Sequence, residues 1–301
     1  MRRPCPSLLN KKYLLLVLLC LSIFQPLHAE APRVFFQSHR GGVNEVPENT
    51  LVALRHSWQI SGAVPEVDLR TTSDGTIVCI HDGTPERTTN APEEFARTAI
   101  DKIPLATLRS WDAGSHFDGK YAGEKVPTLD EVIALLKEDP RRELYLDLKG
   151  VDLDQLVGII KREKIEERII FVHGSPLMCR KLQGLYPGAR TMTWLSGDPE
   201  KIQQRFAELK ENKFKGISQL QFHLQTKALT PEITYVFDAG YLQDAVAATR
   251  ENNVDFQLRP FDFNAQSLRY LIDLGVYWYV SDDPKAFARS VKEALAINLD
   301  R

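Results

Sequence analysis

Short apolar runs and longer amphipathic ones take turns along most of this chain. After the amino-terminal 29 residues, the first apolar run reaches Phe35-Phe36 and stops abruptly at His39-Arg40-Gly41-Gly42, which reads as a strand feeding a glycine-rich loop. Pro47-Glu48-Asn49-Thr50 then opens a helical pattern, with Leu51, Leu54, Trp58 and Ile60 on or near one face. Val64 to Arg70 alternates apolar and polar residues, so Glu66 and Asp68 project from one face of a strand. Glu143 to Gly150 does the same, placing Tyr145, Asp147 and Lys149 on one face and leucines on the other. Beyond it the pattern predicts helix 153–163, strand 168–173, helix 176–184, strand 189–194, helix 198–210, strand 217–224, helix 241–252, strand 254–261, helix 265–274 and strand 276–281. Strands alternating with helices over this length predict an α/β fold of the TIM type, a (β/α)8 barrel.

One stretch breaks the alternation. Ser73-Asp74-Gly75-Thr76 is a turn signal followed by the apolar run Ile77 to Ile80 and then His81-Asp82. That connection is too short for a crossover helix, so the barrel is expected to be irregular here. A two-residue turn at Asp74-Gly75 would pair Ser73 with Thr76 and bring His81 opposite Asp68, beside the paired carboxylates. Residues 82–126 have little periodicity but carry aromatics and glycines, which suits an ordered insertion over the mouth of a site. Thr128 and Glu131 then have the spacing of a capping box for a helix running to about Lys137.

Composition changes the picture mainly at the start. Residues 1–29 carry Arg2, Arg3, Lys11 and Lys12, an apolar run from Tyr13 to Phe24, and a small residue at Ala29, the pattern of a secretory signal peptide. The apolar run is shorter than the ~20 residues of a spanning helix. Cleavage there predicts a barrel domain over 30–301 that is exported, periplasmic or secreted, with no stable membrane span. That segment holds 34 basic and 40 acidic residues, a net charge of −6, and offers no basic field for nucleic acid. Its two cysteines, Cys79 and Cys179, make no disulfide framework; a bridge and two buried thiols both remain open.

An acidic pair on a strand is commonly a solvated face, and a lysine after an acid commonly a surface ion pair. Here His39, Arg40, Glu66, Asp68, His81, Asp147 and Lys149 all leave strands at what should be one rim. Charges of both signs gathered at strand ends are costly to keep without a ligand. They suit a hard cation held by oxygens, a phosphate held by Arg and Lys, and two imidazoles for proton transfer.

In the segments His39-Arg40-Gly41, Pro47-Glu48-Asn49-Thr50, Glu66-Val67-Asp68, Asp74-Gly75, His81-Asp82, Arg87-Thr88-Thr89, Asp112-Ala113-Gly114, Pro127-Thr128-Leu129 and Ser281-Asp282-Asp283-Pro284, taken in this order, the chain resembles the glycerophosphodiester phosphodiesterases. Their barrel is shared with phosphatidylinositol-specific phospholipases C. The resemblance implies a hydrolase that cleaves glycerophosphodiesters to glycerol phosphate and an alcohol. It implies His39 and His81 as general acid and base, Glu66 and Asp68 as ligands of one divalent cation, calcium or magnesium, and Arg40 and Lys149 as phosphate-binding residues. Glu48 and Asn49 would organise the first loop. Asp147 stands where the family commonly has glutamate, so it would ligate the cation directly or through a water. The tryptophan common on the family's seventh strand is replaced here within Phe256-Gln257-Leu258-Arg259, where Arg259 is positioned to bind an anionic substituent of the substrate. Two alternatives are the same chemistry on a sugar or polymer phosphodiester, and a non-catalytic barrel that binds a phosphorylated ligand.

Overall fold

The computed structural model describes residues 32–297. The leader read over residues 1–29 lies outside them, and no helix among the described residues is long and apolar enough to cross a membrane. Eight parallel strands close into a barrel: β1 (Phe35–Ser38), β2 (Ala63–Thr71), β3 (Leu144–Gly150), β4 (Ile169–Val172), β5 (Arg190–Leu195), β6 (Gln219–Leu224), β7 (Asp255–Pro260) and β8 (Trp278–Ser281). Ser38 at the end of β1 pairs with Ser281 of β8 on one side and Pro65 of β2 on the other, which closes the ring. Around it lie α1 (Leu51–Trp58), α2 (Leu129–Lys137), α3 (Leu153–Glu163), α4 (Pro176–Leu185), α5 (Pro199–Glu211), α6 (Ala239–Glu251), α7 (Ala265–Asp273) and α8 (Pro284–Ala296). The two-residue period of the strands separates two cores. Val64, Tyr145, Ile170, Val172 and Met192 fill the barrel, while residues such as Val67, Leu144, Leu146, Leu220, Phe222, Phe256 and Leu258 pack outward against the helices.

The register of the hairpin after β2 differs from the expected one. Ile77–Cys79 runs antiparallel to β2 with Leu69 opposite Cys79, Arg70 opposite Val78 and Thr71 opposite Ile77. The turn holds three residues, Ser73 to Gly75, between Thr72 and Thr76, whose backbones bond at 2.9 Å. Gly75 takes φ +83°, so the loop ends on a left-handed residue, the usual form of a three-residue hairpin. Asp74 is drawn into the turn itself, accepting from the Thr72 hydroxyl at 2.5 Å and from the Leu105 amide. Ile80 therefore lies opposite Asp68, donating to its carbonyl at 2.9 Å, and His81 falls one residue further on.

Two further elements go beyond the sequence reading. The chain continues past β8 into α8, which buries Phe287 and Ala294, and a small hairpin of Thr226–Ala228 with Thr234–Tyr235 follows β6. Residues 82–126 contain two single-turn helices and short 3-10 turns, with a core of their own in which Ile100, Ile103, Leu108, Trp111 and Val126 pack beneath Val78 and Ile80. The Thr128–Glu131 capping box is formed in both directions at the start of α2.

Candidate active site

The loop after β1 sets the geometry. Arg40 adopts φ +52°, and Gly41 and Gly42 follow at +81° and +104°, so the chain turns back immediately over the rim. A Cβ on Gly41 would lie 2.5 Å from the Ala53 Cβ, because the loop is pressed against α1. Gly41→Ala is expected to cost about 1–3 kcal/mol of unfolding free energy through strain and overpacking, measurable by denaturant titration.

Asn49, also left-handed at φ +58°, braces β2 reciprocally: its side-chain amide donates to Asp68 Oδ2 at 2.9 Å while its oxygen accepts from the Asp68 amide at 2.8 Å. Glu48 accepts from Arg40 Nη1 at 3.1 Å and from Arg87 through two bonds of 2.6 and 2.8 Å. Both residues thus link the first loop to its neighbours.

Glu66, Asp68 and Asp147 come together inside the rim, each with an oxygen within 4.8 Å of the others, and all three are buried. Asp68 and Asp147 are register partners on β2 and β3, which is how two separate strands deliver carboxylates to one point. Burial, then the neighbouring Asp68 and Asp147, push the Glu66 carboxyl far above the usual range. Burial also raises Asp147, with Lys149 pulling the other way. Lys149 donates to Asp147 Oδ2 at 2.7 Å and lies 3.3 Å from Asp68 Oδ1, although not in hydrogen-bond geometry. Its own affinity for a proton is raised because Asp147, Asp68 and Glu66 outweigh the opposing effect of burial. Arg40 donates its backbone N–H to Glu66 at 2.9 Å, and its Nε lies 3.6 Å from Asp68 Oδ2.

Two buried carboxylate oxygens, Asp68 Oδ1 and Asp147 Oδ1, have no hydrogen-bond partner. An unpaired buried acceptor is costly, and an all-oxygen donor set with free lone pairs is what a hard divalent cation takes. The residues present therefore fit such an ion.

His39 begins the loop. Its Nδ1 is hydrogen-bonded to Asp282 Oδ1 at 2.6 Å, and Arg259 donates to both oxygens of the same carboxylate at 3.0 Å each. Burial lowers the proton affinity of His39 against the effect of Asp282, with Arg259 and Arg40 adding to the lowering. Despite its own burial, Asp282 is held below the ordinary carboxylate range by His39 and Arg259.

His81 is more exposed. Its Nδ1 meets Asp82 at 2.7 Å, and Arg87 bonds Asp82 at 2.6 and 3.0 Å. A continuous run of ion pairs, Asp82 to Arg87 to Glu48 to Arg40, thus ties His81 to the loop that carries His39. Asp82, Arg87 and Asp282 were not among the candidate site residues. Their signal is local: an acid directly after His81, an arginine five residues further, and an acid directly after the last strand. Cys79 and Cys179 are unbridged and buried, and burial pushes both thiols up.

His223, on β6, has its proton affinity lowered to about 4 by burial, Arg259 and His39. The folded protein then binds fewer protons than the unfolded chain between the ordinary histidine value and about 4, so stability falls as the pH drops through that window. His223→Gln should flatten the decline of Tm from pH 6.5 to 4 in a scanning calorimeter.

The sequence model described as the glycerophosphoryl diester phosphodiesterase family matches residues 39–286. The chain belongs to that family. Within it, the chain is 34% identical over 156 residues to a glycerophosphodiester phosphodiesterase of Caldanaerobacter subterraneus, a match covering 50% of this chain and 62% of that one. It is 33% identical over 118 residues to glycerophosphodiester phosphodiesterase 1 of Bos taurus, covering 39% of this chain and 34% of the bovine one. These alignments therefore span less than two thirds of the relatives' own length. Among solved structures, the barrel superposes on a glycerophosphodiester phosphodiesterase of Agrobacterium tumefaciens with a TM-score of 0.67 at 22% identity, over 85% of this chain and 99% of that one. A phosphodiesterase of Oleispira antarctica, solved with its product sn-glycerol-3-phosphate, gives a TM-score of 0.64 at 25% identity over 87% of this chain and 97% of that one. The family matches the TIM-type barrel described above.

Proposed function

We propose that this chain is a metal-dependent phosphodiesterase that hydrolyses glycerophosphodiesters to glycerol phosphate and an alcohol. The observation that carries the reading is the buried trio Glu66, Asp68 and Asp147, with two unpaired oxygens, set against Arg40 and Lys149 at one end of the barrel. Family membership supports it. Glu66, Asp68 and Asp147 would hold one divalent cation, calcium or magnesium, which when bound offsets negative charge on the phosphoryl oxygens.

His39 is kept neutral by burial, and with its Nδ1–H donating to the Asp282 carboxylate its Nε2 is left free to accept a proton. It is suited to remove the proton from a glycerol hydroxyl adjacent to the phosphoester. That oxygen forms a bond to phosphorus as the bond to the leaving alcohol breaks, and His81, oriented by Asp82, gives the departing oxygen its proton. In the second half the roles reverse and water opens the cyclic glycerol phosphate. Arg40 and Lys149 stabilise the charge that builds on the phosphoryl oxygens.

Purified protein should cleave glycerophosphocholine and glycerophosphoethanolamine, lose that activity with a chelator and regain it with calcium or magnesium. Absence of turnover across a panel of glycerophosphodiesters with either metal would overturn the reading in favour of a binding barrel. Export is part of the proposal and is tested by sequencing the amino terminus of material recovered outside the cytoplasm.

A further inference from the structure

The β6–β7 side of the barrel mouth is polar and only partly used by the groups described above. Arg259 and His223 are register partners on these two strands. Arg259 engages the protein through one nitrogen: Nη2 reaches both oxygens of Asp282 and lies 3.3 Å from His39 Nδ1. Among the described residues, its Nε and Nη1 donate to no protein acceptor and are not sealed from solvent. The guanidinium carbon lies 5.7 Å from the ring centre of Phe261, and the His223 imidazole meets the same ring edge-on at 5.7 Å. Phe261 is 52% exposed, so it stands as an open wall beside unspent donors. His223 makes no side-chain hydrogen bond among the described residues, and burial keeps it neutral. Two residues back on the same strand faces, Gln257 and Gln37 are buried with unpartnered side-chain oxygens, which makes the sleeve beneath Arg259 and His39 polar as well.

Arg259 Nη2 lies 3.3 Å from His39 Nδ1, so the guanidinium flanks the residue that would deprotonate the glycerol hydroxyl. With His39 serving the glycerol hydroxyl as proposed, a group that reaches Arg259 would belong to the glycerol half. An arginine with a free edge prefers an oxyanion, and the nearby carboxylate does not fill that edge. We infer that Arg259, with His223 and Phe261, forms a subsite for a second phosphate on the substrate's glycerol, so that the preferred substrates are diesters of a glycerol phosphorylated at both terminal carbons. This deepens the phosphodiesterase reading and rests on it.

The test is a calorimetric titration of the metal-loaded His81→Ala protein, which retains the subsite but turns over slowly. Glycerophosphocholine is compared with the analogue that bears a phosphate on the other terminal carbon of its glycerol. The analogue should bind about 10- to 100-fold more tightly, the range of a hydrogen bond to a charged group. Adding Arg259→Gln should bring the ratio to within about threefold, whereas Arg259→Lys should keep part of it. A merely structural Arg259 would weaken both ligands alike and leave the ratio unchanged, which would overturn the inference. Equal affinity of the two ligands for the Arg259 protein would overturn it too, while leaving the phosphodiesterase reading intact; binding of neither would overturn both. A third ligand, with a phosphodiester in place of the added phosphate, separates two supporting cases: a terminal phosphate if it binds weakly, a bridging one if it binds as tightly.

Discussion

His39→Ala is expected to lower turnover of a glycerophosphodiester about 10²- to 10⁴-fold, the range for loss of a general acid or base, and His81→Ala should do the same. The two substitutions should differ in how the remaining rate depends on pH. His39 titrates below the ordinary histidine value, chiefly because it is buried, so the wild-type rate should fall on the acid side as His39 gains its proton. In His39→Ala that acid limb should disappear from kcat/KM. A diester whose adjacent glycerol hydroxyl is replaced by hydrogen should not turn over with the wild-type protein. Equal cleavage of that deoxy compound would mean that water attacks phosphorus directly, and the two-step route would have to be abandoned.

Removal of the cation is expected to destabilise the protein, and Glu66→Gln should reverse that effect. In the metal-free protein, burial, Asp68 and Asp147 raise the proton affinity of Glu66, and burial raises that of Asp147 against Lys149, with Asp68 adding to the rise. The folded state then binds more protons than the unfolded one, so this contribution to stability is fully present below the unfolded carboxylate values and is lost as pH rises through the raised folded ones. The gap in Tm between metal-loaded and metal-free protein should therefore widen between pH 5 and 8. At a hundredfold excess of metal over Kd, the stabilisation would be about 2.7 kcal/mol. Glu66→Gln keeps an acceptor for the Arg40 N–H but removes one buried charge. Its metal-free Tm should rise, its response to metal should shrink, and its activity should be lost. A drop in metal-free Tm would show that the carboxylate is held by the protein alone.

Much of this arrangement is legible in the residues because strand geometry is strict. Alternation alone puts Glu66 with Asp68, and Tyr145 with Asp147 and Lys149, and the barrel adds only the pairing of β2 with β3. The helices from 153 to 273 are legible for the same reason: their apolar positions recur at helical spacing between strands of known direction. The hairpin after β2 was not, since a two-residue and a three-residue turn around Asp74-Gly75 share the same amino acids and differ in one left-handed angle. That single residue moves His81 from Asp68 to the position beyond Ile80. Local pattern marks Asp282 and Arg87 as polar residues near strand ends but not what they bind, because those partners are distant in sequence: His39 is 243 residues from Asp282, and Glu48 is 39 from Arg87. The missed helix α8 begins with Asp283-Pro284, a start signal sitting inside a segment already read as part of the site.

The bond between His39 and Asp282 joins the first strand of the barrel to the residue just after the last. The carboxylate trio is delivered by β2 and β3 alone, whereas the partner that fixes the His39 tautomer comes only with the end of β8. Competence for proton transfer is thereby tied to closure of the ring, because the same contact that seals β1 against β8 orients the imidazole. The imidazole proton of His39, followed by NMR, would serve as a reporter of closure: its downfield resonance should appear only when β8 is docked beside β1.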